Sequence, residues 1–123
     1  MSTAKSLLGK RAEELTAAEL IRRGCQILET NYRCRYGEID IIARDDDTII
    51  FIEVRSRRSD ETTCPAESVN HKKQAKIVHT ARYYLSSHNE FIDFDCRFDV
   101  SSVRFERGKP VIVEIIQGAF EEV

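Results

Sequence analysis

The chain has 123 residues, of which 41% are hydrophobic and 33% are charged, and its formal net charge at pH 7 is −2. This length is near the usual size of one domain, so we expect residues 1–123 to form a single domain with enough apolar side chains for one core, and we exclude an intrinsically disordered chain. The small net charge excludes a protein whose total field steers it to nucleic acid, so any such binding must come from a local basic patch.

Membrane insertion and secretion are not expected. No apolar run approaches the roughly 18 residues of a transmembrane helix, and the N-terminal MSTAKSLLGK lacks the apolar stretch of a signal peptide. We therefore predict a soluble, cytoplasmic protein without a membrane partner. The cysteines have wide, irregular spacings, so we interpret them as reduced and mostly buried thiols, and we interpret the histidines as ordinary surface residues. These cysteines are Cys25, Cys34, Cys64 and Cys96.

The first predicted element is an amphipathic helix over residues 6–23. Ser6 can cap its start, and Gly24 suits a left-handed residue at its end. Apolar residues recur near helical spacing and predict the buried stripe. They are Leu8, Ala12, Leu15 and Ile21.

Three strands, a second helix and two further strands follow. The first strands cover residues 25–32, 38–44 and 49–55, the last two joined as a hairpin by Asp45-Asp46-Asp47-Thr48. Pro65 fits the first turn of a helix over residues 66–87, whose apolar stripe is Val69, Ile77, Ala81, Tyr84 and Leu85. Strands over 96–105 and 111–117 complete the order α-β-β-β-α-β-β. This order predicts an α/β fold with a mixed central sheet flanked by helices.

The hairpin carries the residues of chemical interest. A turn centred on Asp46-Asp47 places Asp40 opposite Glu53 and Glu38 opposite Arg55, and like charges facing each other on a sheet are destabilising. Carboxylates within such apolar strands are normally paired or hold a cation, and Mg²⁺ would neutralise this pair. Two alternatives stay open: a surface ion network around Glu38 and Arg55, and a three-residue loop that shifts the register and separates Asp40 from Glu53.

Basic residues flank the hairpin and follow the exposed face of the second helix. They predict a phosphate-binding rim that gives affinity without sequence preference, although a plain solvated face is the alternative. We infer no base stacking from the aromatic residues among them, so the sequence does not predict specificity for single strands. The rim residues are Arg33, Arg35, Arg57, Arg58, Lys72, Lys73 and Lys76.

Several short motifs occur in a recognisable order. The two main ones are Gly-Glu-Ile-Asp-Ile-Ile-Ala at 37–43 and Phe-Ile-Glu-Val-Arg-Ser-Arg at 51–57. Lesser landmarks are Asn31-x-Arg33, Lys73-Gln74 with Ala81 and Leu85, and Arg97-Phe98-Asp99. Over residues 9–103 the chain resembles the YraN-like family of predicted bacterial endonucleases (UPF0102), a branch of the restriction-endonuclease-like superfamily.

The resemblance implies a restriction-endonuclease-like fold and phosphodiester hydrolysis that depends on Mg²⁺ or Mn²⁺. It implies Glu13, Asp40 and Glu53 as metal ligands and catalytic residues, with residue 55 beside the attacking water. The family has lysine where this chain has Arg55, and arginine keeps its charge but prefers a bidentate grip on a carboxylate.

Two further polar residues, Gln74 and Asp99, lie within these motifs. Gln74 is a candidate to orient a carboxylate or a water molecule, with a plain boundary position as its alternative. Asp99 is expected to be a structural strand partner and not a ligand.

The expected partner is DNA. Distant similarity to archaeal Holliday-junction resolvases implies structured or branched DNA and a homodimer that cuts two strands symmetrically. The rival hypothesis, favoured by Arg55, is a catalytically weak or inactive nucleic-acid-binding or protein-interaction module that keeps the nuclease fold. A purely structural domain is the third possibility.

Overall fold

The computed structural model describes residues 6–58 and 69–121. In this part of the chain the helices are α1 (Leu7–Arg22) and α2 (His71–Ser86), with a short 3-10 helix at Asn89–Phe91. The strands are β1 (Gln26–Cys34), β2 (Gly37–Asp45), β3 (Thr48–Arg58), β4 (Asp95–Phe105) and β5 (Ile112–Phe120). The predicted order α-β-β-β-α-β-β and the predicted α/β fold are confirmed. Within these residues, no helix combines the length and the hydropathy needed to cross a bilayer.

The five strands form one mixed sheet in the order β1-β2-β3-β4-β5. Strands β3 and β4 are parallel, and the other neighbours are antiparallel. A parallel pair needs a crossover connection, and α2 lies in that connection. The two helices cover opposite faces of the sheet, since Leu20 of α1 packs with Ile50 and Ile52, whereas Ile77 of α2 packs with Phe51.

Helix α1 begins and ends as predicted. The Ser6 hydroxyl accepts a hydrogen bond from the Gly9 N–H at 3.0 Å, and Gly24 has a φ of +94°. The predicted apolar stripe was partly wrong, because Leu8 and Ile21 are exposed.

Small and polar side chains at helical spacing dock α1 on the sheet. Ala12, Thr16 and Leu20 are buried, and the Thr16 hydroxyl lies 2.7 Å from the Ser101 hydroxyl of β4. A search for large apolar residues misses this face, since the small residues are what let the helix approach the strands closely.

Helix α2 begins later than the predicted residue 66. Asn70 caps it, accepting the Lys73 N–H at 2.9 Å, so the first helical residue is His71. Pro65 lies outside the described residues. The predicted stripe is confirmed for Ile77, Ala81 and Tyr84, which are buried, and Leu85 is partly buried. Val69 is buried ahead of the helix.

The predicted hairpin register is confirmed over its first five pairs, from Asp45–Thr48 to Ile41–Ile52. The regular pairing ends there. The predicted pairs Asp40–Glu53 and Glu38–Arg55 are therefore not part of the ladder, because an Asp40 carboxylate oxygen accepts the Val54 N–H at 2.8 Å. A side chain has replaced a backbone partner at this point.

The thiols are less buried than expected. Among the described residues Cys25 and Cys34 are half-buried and Cys96 is exposed, which corrects the prediction of mostly buried cysteines. Cys64 lies outside the described residues. His71 and His79 are exposed as predicted, whereas His88 is half-buried and stacks on Tyr84 at 3.9 Å between ring centroids.

Asp99 joins β4 to β5 from a buried position. Its carboxylate accepts hydrogen bonds from the Arg97 guanidinium at 2.9 and 3.1 Å and from the Gly118 N–H at 3.0 Å. The hydrogen bonds that Arg97 donates to Asp99 raise the pKa of Arg97, because they stabilise the charged guanidinium. The geometry agrees with the predicted structural role.

Replacing Asp99 should destabilise the fold. Asp99→Ala leaves the Gly118 N–H and the partly buried Arg97 without their acceptor, so we expect a loss of about 2–3 kcal/mol in unfolding free energy. Urea unfolding measures it, with exposed Asp93→Ala as the matched control. Equal stability of the two variants would contradict the structural role.

Candidate active site

The candidate site lies where β2 and β3 separate. Asp40 and Glu53 are the first residues beyond the last regular pair of the hairpin. The alternation of β2 breaks here, since Ile39 packs on the α2 side of the sheet and Ile41 on the α1 side. On β1, Asn31 has a φ of +54° and lies between the residues that pair with Ile41 and Ile39. Asparagine tolerates this left-handed conformation better than most residues. The irregular residue of β1 thus lies opposite the point where the alternation of β2 breaks.

Three predicted carboxylates and Arg55 line one open cleft of about 240 Å³. Asp40 comes from β2, Glu53 and Arg55 from β3, and Glu13 from α1. The three carboxylate residues are at most 9% exposed. Side chains from one helix and two strands thus meet at one end of the sheet.

Glu53 is the electrostatic centre of the cleft. One carboxylate oxygen, Oε2, lies 3.1 Å from Lys73 Nζ and 3.3 Å from Arg55 Nη2. Burial, followed by the negative charge of Asp40, raises the pKa of Glu53 to about 7, although Lys73 and Arg55 act in the opposite direction. The site therefore holds a carboxyl group that is poised to exchange its proton near neutral pH.

Lys73 has a position that sequence reasoning missed. It was expected in the phosphate-binding rim, and the structure places its ammonium on Glu53. The cause is the start of α2 at Asn70, which puts Lys73 in the first turn of the helix, beside the cleft. An ammonium group therefore reaches Glu53 from α2. The family has its lysine at position 55, where this chain carries arginine.

Gln74 does not join the carboxylates. Its side-chain amide donates to the Val69 carbonyl at 2.8 Å, and it lines a separate pocket of about 250 Å³ with His71 and Arg82. This geometry supports the boundary position that was the alternative for Gln74.

The basic residues divide between surface and interior. Arg57 is only 6% exposed, which removes it from the exposed rim, whereas Arg58 at the end of β3 is exposed. Arg33 is exposed and pairs with Glu38 at 3.0 Å. Lys72 and Lys76 are also exposed, and with Lys73 they line a groove of about 400 Å³ next to the cleft.

The donor set fits a divalent cation only in part. Within residues 6–58 and 69–121, no three His, Cys, Asp or Glu side chains form a group that could hold a metal ion. The structure therefore does not close Glu13, Asp40 and Glu53 into a three-carboxylate cage. Mg²⁺ is often bound by one or two carboxylates together with water and substrate phosphate oxygens, and the buried, like-charged pair Asp40 and Glu53 meets that requirement.

Comparison with known proteins establishes the family. The model of the Uncharacterised protein family UPF0102 matches residues 12–103. The chain belongs to this family. A UPF0102 protein of Nitrosomonas europaea is 45% identical over 114 residues, 93% of each chain. A UPF0102 protein of Moorella thermoacetica is 43% identical over 121 residues, 98% of this chain and all of that relative. Family membership, expected from the motifs, is confirmed.

A solved structure aligns along most of the chain. SfsA of Pyrococcus furiosus, in complex with Ca²⁺, covers 93% of this chain and 72% of its own, with a TM-score of 0.44 and 14% sequence identity.

The raised pKa of Glu53 predicts a pH-dependent effect of Glu53→Gln. The folded state holds the Glu53 proton up to about pH 7 and the unfolded state releases it near 4.5, so the parent loses stability as the pH rises through that window. Glutamine stays neutral, so the variant should gain up to about 3 kcal/mol over the parent between about pH 4.5 and pH 8.

Urea unfolding at a series of pH values measures this difference. Glu14→Gln, an exposed position on α1, is the control and should follow the parent curve. Parallel curves for the parent and Glu53→Gln would show that Glu53 titrates normally.

Proposed function

We propose that this protein hydrolyses phosphodiester bonds in DNA with the help of a divalent metal ion, at the cleft of Asp40 and Glu53. One observation carries the proposal: two buried carboxylates lie at the point where β2 and β3 separate and face a cleft bordered by basic groups. Burying like charges together is unfavourable unless a partner stabilises them. Groups with a strongly raised pKa in a cleft are typical of functional sites.

The residues of the cleft have separate roles in this proposal. Asp40 and Glu53 would hold Mg²⁺ or Mn²⁺, and the bound ion would supply positive charge to the phosphate and acidify the attacking water. Lys73 and Arg55 stabilise the negative charge of the phosphate that is attacked. Glu13 orients water from the α1 side of the cleft. The oxygen of water bonds to phosphorus as one ester P–O bond breaks, which leaves a phosphate monoester and a hydroxyl group.

The substrate class follows from the surroundings of the cleft. Arg58 and the groove lysines Lys72 and Lys76 contact the phosphate backbone, which gives affinity independent of sequence. The proposed substrate is structured or branched DNA. A homodimer would present two such clefts for cutting both strands.

A second function is favoured by two ion pairs in the cleft. Lys73 and Arg55 both approach the same oxygen of Glu53, an arrangement that neutralises the carboxylate without a metal ion. If that neutralisation is sufficient, the protein is a DNA-binding module that keeps the fold and does not cut.

Metal binding separates these two functions. Mg²⁺ or Mn²⁺ should raise the melting temperature of the parent, because an ion that binds the native state stabilises it by mass action. Asp40→Asn should abolish the shift, while its amide oxygen can still accept the Val54 N–H. Differential scanning calorimetry measures the response. Asp47→Asn, in the exposed hairpin turn, should respond like the parent; an unresponsive parent argues for the non-catalytic module.

Lys73 should affect cleavage more than affinity. Lys73→Met removes the ammonium beside Glu53, so kcat for DNA cleavage should fall at least about tenfold, roughly 1.4 kcal/mol of transition-state stabilisation. Lys72→Met, one residue away and exposed, should instead weaken DNA binding and leave kcat at saturating DNA close to that of the parent. The assay uses duplex, single-stranded and four-way-junction DNA with Mn²⁺.

Arg55→Lys completes this comparison. Lysine keeps the positive charge but cannot form a planar, bidentate contact with the carboxylate, so the cleavage rate should rise without a change in DNA affinity. If the parent, Lys73→Met and Arg55→Lys all bind DNA but none of them cuts it, the proposed enzymatic function is wrong and the DNA-binding module is supported.

A further inference from the structure

An exposed aromatic cluster lies beside the groove lysines. Tyr36, in the turn between β1 and β2, contacts His79 and Tyr83 of α2, with ring centroids 5.7 and 5.8 Å apart. Tyr36 and Tyr83 are 38% and 41% exposed. Aromatic side chains gathered on a surface in this way are typical of an interaction site.

The backbone at Gly37 brings the cluster together. Gly37 has a φ of +151°, and a Cβ there would lie only 3.2 Å from Thr80 Oγ1 of α2. A glycine therefore lets the turn approach the helix closely enough for Tyr36 to reach His79. The Arg35 guanidinium lies over the Tyr36 ring, 5.0 Å from its centroid, and donates to the Tyr36 hydroxyl at 2.9 Å.

Positive charge surrounds these rings. A surface pocket of about 330 Å³ is lined by Tyr36, Lys72, Ala75, Lys76 and His79, which include two lysines and, among the described residues, no carboxylate. Glu38, on the neighbouring strand, is paired with Arg33. The pocket thus combines flat aromatic faces with cations.

The pocket is continuous with the candidate active site. Lys72 and Lys76 also line the adjoining groove, and Glu38 and Lys73 are shared between that groove and the carboxylate cleft. A surface path therefore runs from Asp40 and Glu53, past the first turns of α2, to Tyr36.

We propose that Tyr36, His79 and Tyr83, together with Arg35, Lys72 and Lys76, form a tyrosine platform that binds an unpaired segment of DNA. Bases stack on the aromatic side chains while the lysines and Arg35 contact the phosphates, which is how single-stranded nucleic acid is bound without sequence preference. The inference rests on the proposed function and refines its substrate: the DNA carries a single-stranded segment next to the bond that is cut. A protein partner is disfavoured because the patch is cationic.

The sequence did not predict this stacking surface. Tyr32 and Tyr36 flank Arg33 and Arg35 along the chain, but Tyr36 lies far from His79 and Tyr83 in the sequence. Only the packing of the turn against α2 makes them neighbours.

Binding to matched oligonucleotides tests the platform. Fluorescence anisotropy without metal ions compares a single strand, the same strand paired as a duplex, and a strand of equal length whose central residues lack bases. Tyr36→Leu should weaken binding of the single strand roughly tenfold, in line with the stacking of one base on an aromatic ring. Tyr36→Phe keeps the ring and should bind like the parent, and both variants should bind the abasic strand like the parent.

A second readout reports stacking directly. 2-Aminopurine placed in the single strand should be quenched on binding the parent and Tyr36→Phe, and much less on binding Tyr36→Leu. Tyr83→Leu provides an independent variant at the other side of the platform, and thermal unfolding checks that each variant is folded.

These experiments test the platform independently of the proposed hydrolysis, since binding is measured without metal and without cleavage. A parent that never cuts DNA but shows Tyr36-dependent binding of the single strand supports the platform and overturns the proposed hydrolysis. A parent that cuts DNA yet binds the normal and abasic strands equally overturns the platform alone. Equal binding of poly-glutamate and the single strand also overturns it, because charge would then account for the affinity.

Discussion

The hydrogen bond from the Val54 N–H to Asp40 controls the geometry of the candidate site. It replaces the backbone bond that would have continued the ladder of β2 and β3, so the strands separate immediately after Ile41 and Ile52. The same bond holds the Asp40 carboxylate in a buried position; burial of Glu53, followed by the charge of Asp40, raises the pKa of Glu53. One side-chain acceptor thus opens the cleft and contributes to its electrostatics.

The sequence predicted the helices and strands around the candidate site better than the local geometry at Asp40. The Asp46-Asp47 turn was sufficient for the hairpin register, because a two-residue turn determines which residues pair. The end of that register depends on two things that no local pattern encodes: the left-handed conformation of Asn31 on β1 and the competition of a side chain with the backbone at Val54. The family resemblance implied that Asp40 and Glu53 are site residues, whereas their positions depend on three-dimensional packing.

The helices show the same division between local signals and long-range contacts. Ser6 and Gly24 gave the ends of α1, whereas its buried face depends on Thr16 meeting Ser101 of β4. For α2 the proline signal drew the predicted start too early, and the cap at Asn70 explains why Lys73 points into the site. The contacts of α2 that matter for function are all with residues distant in sequence.

Glu53 links the proposed metal binding to the proposed DNA binding through its ion pairs. In the structure its carboxylate is neutralised by Lys73 and Arg55, which also line the cleft. Under the proposed function, a DNA phosphate would compete with Glu53 for them, and a divalent cation would compete with them for Glu53. Such an exchange would conserve the number of ion pairs, since the cations would pair with the phosphate and the carboxylate with the metal. Under the proposed function, metal and DNA therefore bind cooperatively, since each releases the group that the other needs.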